Sequence, residues 1–414
     1  MELLSIVENQ RTTITMEWFD PKNLPAYVND YLTVAYDPTI GYWVVEARSY
    51  TGIIPLNPDY GIQILPKSGL RNLTYMLYRS GMLTRSLETP FDQTVPYQIP
   101  EDDLESFFEG LVNSFLSTLD QIKSWGLWRE IQRQDLDLFS VKGKINYRTW
   151  LGQYPSNWGL PIPQKIFNTD LDNYANRVLR WCLEVLLYSP LNYISKDKIL
   201  DRIDYFGRIP IVPLSDLDLR QLEYQLEAGK FPSSRYYYLP ALNLAMLIIR
   251  GAGLSLGIKK DVEFKPIIIN TYDMFERYIR VLSQEIANKY SVRAENGLLF
   301  PLTFYSSYGP NINVKPDIIF RYGGSAIMVI DVKYKTFPTD QDHYQLWAYM
   351  QAYGVKQGGF ISLVDPLSSH KPNTTWYERD TCEIFNFPFD CVEIKEAENR
   401  LDDHLVSIFE RVPL

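Results

Sequence analysis

A chain of 414 residues with 46% hydrophobic and 14% aromatic residues is long enough for two or three domains and apolar enough to fill their cores, which excludes a chain dominated by disorder. A formal net charge of -9 excludes bulk attraction to nucleic acid, because sequence-independent affinity rests on many Lys and Arg contacts to phosphate, so any DNA contact must be local or lent by a partner. Cys182, Cys382 and Cys391 are scattered without CxxC spacing, and no cleavable apolar leader or uninterrupted span of about 18 apolar residues is present; the expectation is a soluble cytoplasmic protein with no disulfide framework, zinc knuckle or membrane contact.

Up to about Arg85, short β-rich segments such as Gly41-Tyr-Trp-Val-Val-Glu-Ala-Arg and Gly61-Ile-Gln-Ile-Leu-Pro alternate with Pro, Gly and Asn-Pro punctuation. They predict a β-rich N-terminal domain over about residues 1–95. Between residues 101 and 126, Leu104, Phe107, Phe108, Leu111, Val112, Phe115, Leu116, Leu119 and Ile122 recur three or four apart, which predicts an amphipathic helix stopped by Gly126. Residues 171–187, with Ala175, Val178, Leu179, Cys182, Val185 and Leu186 on one face, and residues 239–250 predict two more helices. A mostly helical middle region follows over about 96–257, its apolar faces read as core.

After Gly257 the pattern turns to mixed α/β. Residues 270–284 predict a helix, 316–320 and 326–334 two strands around Arg321-Tyr-Gly-Gly-Ser, 342–353 a helix and 359–364 a buried strand. The fold class expected overall is α+β and multidomain, ending in an α/β domain with a mixed central sheet over 258–414.

The run Ala326-Ile-Met-Val-Ile is apolar enough for a central strand, yet it continues into Asp331-Val-Lys333. Alternation puts Asp331, Lys333 and Lys335 on one face. Asp317 and Asp331 lie equally far from Gly324, so a hairpin with an odd-length loop centred there makes them cross-strand partners, with Cβ atoms about 5 Å apart. Two carboxylates at that distance repel unless a cation lies between them, and oxygen-only ligands favour a hard ion such as Mg²⁺. A two-residue Gly323-Gly324 loop would shift the register by one and send one aspartate to the opposite face.

Glu276, beside the apolar stripe of Phe275, Tyr278, Ile279 and Leu282, is either a third carboxylate for this site or an ordinary partner of Arg280 one turn on; both readings stand. Gln345 and Tyr349 share a helix face and suit hydrogen bonds to phosphate or to a catalytic group. His343 reads as a surface residue.

Pro316-Asp317, Asp331-Val332-Lys333 and Gln345-xxx-Tyr349, in that order behind a helical Glu276, resemble the RecB-like branch of the PD-(D/E)xK nucleases. A closer resemblance is to McrC, the nuclease subunit of modification-dependent restriction systems. It is carried by Asp331-Val-Lys-Tyr-Lys and Met274-Phe-Glu-Arg-Tyr, and by Gly126-Leu-Trp-Arg-Glu, Val141-Lys-Gly-Lys-Ile, Asp172-Asn-Tyr-Ala-Asn-Arg-Val-Leu and Ile64-Leu-Pro-Lys-Ser. The resemblance touches most of the chain and is most specific in its last third.

That resemblance implies a subunit that docks through its N-terminal domain on a hexameric McrB-like AAA+ GTPase, stimulates GTP hydrolysis, and cuts double-stranded DNA carrying modified cytosine such as 5-methylcytosine. GTP would belong to the partner, since the chain has no GxxxxGK[ST] pattern. Whether two complexes pair to cut both strands stays open. It also implies that Asp317 and Asp331 hold Mg²⁺, or Mn²⁺ in its place, with the carbonyl of Val332 and with Glu276 directly or through water. Lys333 would orient or deprotonate the attacking water and offset phosphate charge, and Gln345 and Tyr349 would position DNA or active-site groups. The competing expectations are a RecB-like nuclease acting alone or in another repair or defence system, and a non-catalytic adaptor that keeps the fold as a scaffold.

Overall fold

The computed structural model describes residues 2–15, 24–25, 27–57, 59–82, 104–152, 161–189, 195–211, 214–227, 230–251, 268–299, 301–304, 312–364, 373–379 and 382–411. The expected domain boundaries near 95 and 257, and the expected helix start at Glu101, lie outside them. The chain divides into two compact units, one of Met1–Ser114, Ser189–Ile194 and Leu247–Leu414, the other of Phe115–Tyr188 and Ser195–Met246. In place of three successive domains, the N-terminal and C-terminal parts share one unit.

In that first unit the N-terminal segments form two sheets. Glu2–Val7 pairs parallel with Tyr60–Leu65, which pairs with Tyr50–Pro55, whose other edge takes Ile268–Asn270 from the far end of the chain. Arg11–Ile14, Tyr42–Ala47 and Leu32–Asp37 make a three-stranded antiparallel sheet. Ile6, Ile14, Val45, Ile54, Ile62, Ile64 and Ile268 close the core between them. The Ile268–Asn270 strand ties the N-terminal sheet to the later chain: its main-chain bonds are completed by a segment over two hundred residues away.

The rest of the unit is built on a six-stranded mixed sheet in the order Arg293–Asn296, Ile318–Tyr322, Ser325–Lys333, Gln357–Leu363, Cys382–Phe389 and Thr375–Arg379. The central pairings, from Ser325–Lys333 to Gln357–Leu363 and on to Cys382–Phe389, are parallel, and those at both edges are antiparallel. Parallel strands need cover on both faces, and each face has it. Leu346, Tyr349 and Met350 of the Asp340–Tyr353 helix pack on Ile319, Val329, Phe360 and Ile384. On the other face, the Phe409 ring of the Ile394–Phe409 helix lies tilted against Phe320, and Phe275 of the Thr271–Asn288 helix meets Phe389 edge to face. The Thr271–Asn288 helix begins where Asn270 accepts a hydrogen bond from Asp273 N, a side-chain cap. Tyr278 and Tyr75 both donate to the Glu398 carboxylate, tying it to the Ile394–Phe409 and Gly69–Arg79 helices.

The second unit carries expected helices at Tyr174–Leu187 and, in part, at Leu104–Trp125 and Leu239–Gly251, and every apolar residue named for the first two is buried. It is less helical than its periodicity predicts. Glu130–Leu138, Ile162–Asp170 and Lys144–Ile145 form a three-stranded antiparallel sheet. Its apolar side chains are largely exposed, Ile131 by 68% and Phe167 by 64%, so the inside-outside alternation that marks a strand in sequence is missing. Asn176, wholly buried, donates to the carbonyls of Trp128 and Leu171 at 2.8 and 2.7 Å and accepts from Tyr238 at 2.8 Å. In the Asp172–Leu179 segment, then, both asparagines are structural, Asn173 as the helix cap and Asn176 as the buried tie.

Candidate metal-dependent nuclease centre

The turn between Ile318–Tyr322 and Ser325–Lys333 has two residues, Gly323 and Gly324, both at positive φ (58° and 91°), with Tyr322 paired to Ser325. This is the short loop that, on register alone, separates the two aspartates. The expectation of an odd-length loop is corrected, but its consequence is preserved by a β-bulge. Arg321 pairs with Ala326 and Phe320 with Met328, which leaves Ile327 without a cross-strand partner. That extra residue shifts the register back by one. Beyond it Ile318 faces Ile330, and one residue further Asp317 faces Asp331. Two glycines are needed because both turn positions lie in the left-handed region.

Asp317 and Asp331 are 7% and 3% exposed. Asp317 Oδ2 accepts from Val332 N at 2.6 Å, and the two carboxyl groups are in hydrogen-bond reach of one another. Burial first, then the charges of Glu276 and Asp331, hold the Asp317 carboxyl well above its usual range. Burial raises Asp331 as well, against the opposing pull of Lys333. Such a pair is poorly stable as two anions, and each carboxyl raises the cost of ionising the other.

Lys333 Nζ lies 2.6 Å from Asp331 Oδ2, 3.3 Å from Asp342 Oδ1 and 3.3 Å from Gln345 Oε1. Burial works to depress its pKa, but Asp331, Asp342 and Asp317 outweigh burial and hold it above the ordinary lysine value. Gln345 in turn donates to Tyr349 Oη at 2.9 Å. The helix thus reaches the site through both residues expected to do so, and they make one chain of contacts from Tyr349 to the ammonium.

Asp342 was not anticipated. It accepts from Thr339 N and Thr339 Oγ1 at 2.6 and 2.7 Å in a capping box, and also pairs with Lys335. The signal was available as Thr339-Asp-Gln-Asp342, a capping-box spacing at the head of a predicted helix. Tyr272 was also missed; its hydroxyl donates to Val332 O at 3.4 Å.

Glu276 pairs with Arg280 at 2.9 Å. Its helix covers the face of the sheet opposite to Gln345 and Tyr349, so it approaches Asp317 closely enough to raise its pKa without joining a cluster. Among the described residues no three or more His, Cys, Asp or Glu side chains gather in a way that could hold a metal. His343 is half-buried, its ring 5.0 Å from that of Phe360 and 5.4 Å from that of Tyr377, rather than a surface residue.

A protein-family model described as McrBC 5-methylcytosine restriction system component matches residues 45–366. The chain belongs to this family. Family membership therefore spans parts of both compact units and includes Asp317, Asp331, Lys333, Gln345 and Tyr349. Among solved structures, a chain of the refined half-complex from a tetradecameric assembly of Thermococcus gammatolerans McrB AAA+ hexamers with bound McrC is similar at 16% identity. It has a TM-score of 0.51, over 98% of this chain and 100% of that one. A chain of the Thermococcus gammatolerans McrBC complex matches at 15% identity and a TM-score of 0.45, over 69% and 88% of the two chains. No curated protein matches. Among the described residues no helix is long and apolar enough to cross a membrane.

Proposed function

We propose that this McrBC family member is the magnesium-dependent DNA endonuclease subunit of a modification-dependent restriction complex. The observation that carries the reading is the facing pair Asp317 and Asp331, buried at the ends of adjacent strands with the Lys333 ammonium 2.6 Å from Asp331. Folding alone has no use for two buried carboxyls in contact, since each is destabilised by burial and by the other.

The donor set suits a hard ion: the carboxylates of Asp317 and Asp331 and the carbonyl of Val332, with Glu276, whose charge reaches Asp317, to act directly or through water. Magnesium is commonly bound by one or two carboxylates with its remaining positions left to water and phosphate oxygens. Once held there, it would lower the pKa of a bound water and offset charge on the scissile phosphate. Asp317 and Asp331 would hold the cation as carboxylates, and its charge would offset the mutual repulsion that raises their pKa values. Lys333, held as a cation by Asp331, Asp342 and Gln345, is placed to orient the attacking water and to stabilise charge growing on the phosphate. Tyr349 fixes Gln345, and Gln345 fixes the ammonium, so the pair positions Lys333 as well as offering polar groups to DNA.

The acidic chain, with a net charge of -9, takes its DNA affinity and its nucleotide hydrolysis from a hexameric McrB-like AAA+ GTPase. The test is reconstitution with a McrB-like AAA+ GTPase, GTP, Mg²⁺ and methylated or unmethylated plasmid. Cleavage is expected only of methylated DNA, only with the partner present, and not by Asp331→Ala. Unchanged cleavage by that variant overturns the nuclease assignment, and robust site-selective cleavage by the isolated chain overturns the partner dependence.

A further inference from the structure

Glu8 directly follows the first strand of the N-terminal sheet, Glu2–Val7, and is wholly buried. An isolated buried carboxylate is costly, yet this one is fully engaged. Its Oε1 accepts from Tyr334 Oη at 2.5 Å and from Lys67 N at 2.7 Å, and its Oε2 accepts from Thr271 Oγ1. Two of these donors belong to the proposed centre's own elements. Tyr334 follows Lys333 directly, and its ring lies tilted against Phe275 at 5.5 Å. Thr271 opens the helix that carries Tyr272, whose hydroxyl reaches Val332 O, and Glu276. The remaining donor, Lys67 N, and the strand that Glu8 follows belong to the N-terminal sheet.

We propose that Glu8 is a positioning residue for the nuclease centre. Through Tyr334 it fixes the end of the strand bearing Asp331 and Lys333, and through Thr271 it fixes the helix that touches Val332. This rests on the nuclease reading above. It makes the N-terminal sheet part of the catalytic framework: Val332, whose carbonyl would help hold the metal, lies between two elements that meet on one carboxylate.

The chemistry predicts which replacements are tolerated. In Glu8→Gln the amide oxygen accepts from Tyr334 and Lys67 N, while the amide nitrogen donates to Thr271 Oγ1, whose hydroxyl hydrogen turns away. Glu8→Ala loses every bond and opens a cavity. Tyr334→Phe removes only the hydroxyl and keeps the ring against Phe275, so it isolates the link even where Glu8→Ala folds poorly.

The experiment compares these three variants, wild type and Asp331→Ala in the reconstituted complex, with kcat and DNA KM measured separately. Calorimetric Mn²⁺ binding to the full-length chain alone supplies a second readout. Outer-shell groups that orient a metal site typically matter 10- to 100-fold. Tyr334→Phe and Glu8→Ala should therefore lower kcat and weaken Mn²⁺ binding by about tenfold or more, with KM within about twofold, and Glu8→Gln should recover most of both. Wild-type kcat and Mn²⁺ affinity in folded Tyr334→Phe, or a Glu8→Gln as damaged as Glu8→Ala, overturns the role of Glu8 while leaving the nuclease reading intact. Cleavage that survives Asp331→Ala removes both.

Discussion

Replacing Asp317 by Asn separates what the paired carboxyls do for the fold from what they do for the metal. The amide is isosteric: its oxygen keeps the 2.6 Å bond from Val332 N, and its nitrogen is able to donate to Asp331. The only loss is one buried, repelled charge. Because burial, Glu276 and Asp331 raise the Asp317 pKa in the folded chain, this group favours folding most at low pH. That contribution is lost as pH rises from the unfolded value, about 4, through the folded one. In EDTA at pH 8 the variant should therefore be more stable than wild type by about 1–2 kcal/mol, with a flatter dependence on pH. Magnesium at about 100 times its Kd should add about 2.7 kcal/mol to wild type, roughly 5 °C in melting midpoint for a unit of this size, and nothing to the variant. Thermal melts of the full chain in EDTA and in MgCl₂ across pH 6–8.5 measure all of this. A variant less stable than wild type in EDTA, or one with the same magnesium shift, refutes the reasoning.

Asp342→Ala removes both the helix cap and a countercharge to Lys333, and should cost about 1 kcal/mol of stability together with cleavage. Asp342→Asn keeps an acceptor for Thr339 and should recover the stability but not the cleavage, as melts and rates on the two proteins will show. A Cβ added at Gly359 would collide with the Phe385 ring, whereas one at Gly358 meets the flexible end of Met350, its Sδ at 2.6 Å. In denaturant titrations Gly359→Ala should lose about 1–3 kcal/mol and Gly358→Ala less; the reverse order contradicts this packing. His404 lies against Phe385 at 4.7 Å, with Nε2 buried and unbonded among the described residues, and burial lowers its pKa to about 4. Since the unfolded chain takes up this proton more readily, stability should fall by up to ~3 kcal/mol as pH drops from about 6.5 to 4. His404→Phe should flatten that limb of the pH profile.

The residues of the proposed centre are the most legible part of the chain. Asp331 and Lys333 stand out because a strand as apolar as Ala326–Ile330 has no packing reason to end in an acid and a base. Helical spacing puts Gln345 and Tyr349 on one face, the family resemblance singles them out, and their contact at 2.9 Å agrees with that spacing. The connection between Asp317 and Asp331 was anticipated through the wrong loop, because glycine content marks a turn but nothing in Ala326-Ile-Met marks a bulge. Asp342 was hidden behind its capping role. Glu8 could not be seen at all from local pattern: its partners Thr271 and Tyr334 lie 263 and 326 residues away. The same distance effect merged the ends of the chain into one unit, where periodicity had suggested separate bodies. The sheet of Glu130–Leu138 and Ile162–Asp170 escaped because several of its apolar side chains, Ile131, Leu136 and Phe167 among them, are exposed while Ile166 is buried.

The unpaired Ile327 also bears on how such a site tolerates change in chain length. Thirteen residues separate Asp317 from Asp331, an odd number that a two-residue turn accommodates only with one bulge. Remove one residue from the hairpin and a regular ladder pairs the same two aspartates without it. Parity of spacing is thus not itself a constraint on the chemistry, and a hairpin of this kind can drift by one residue in either direction while its acids stay face to face. A search that demands a fixed interval between the two acids would pass over proteins with the same centre.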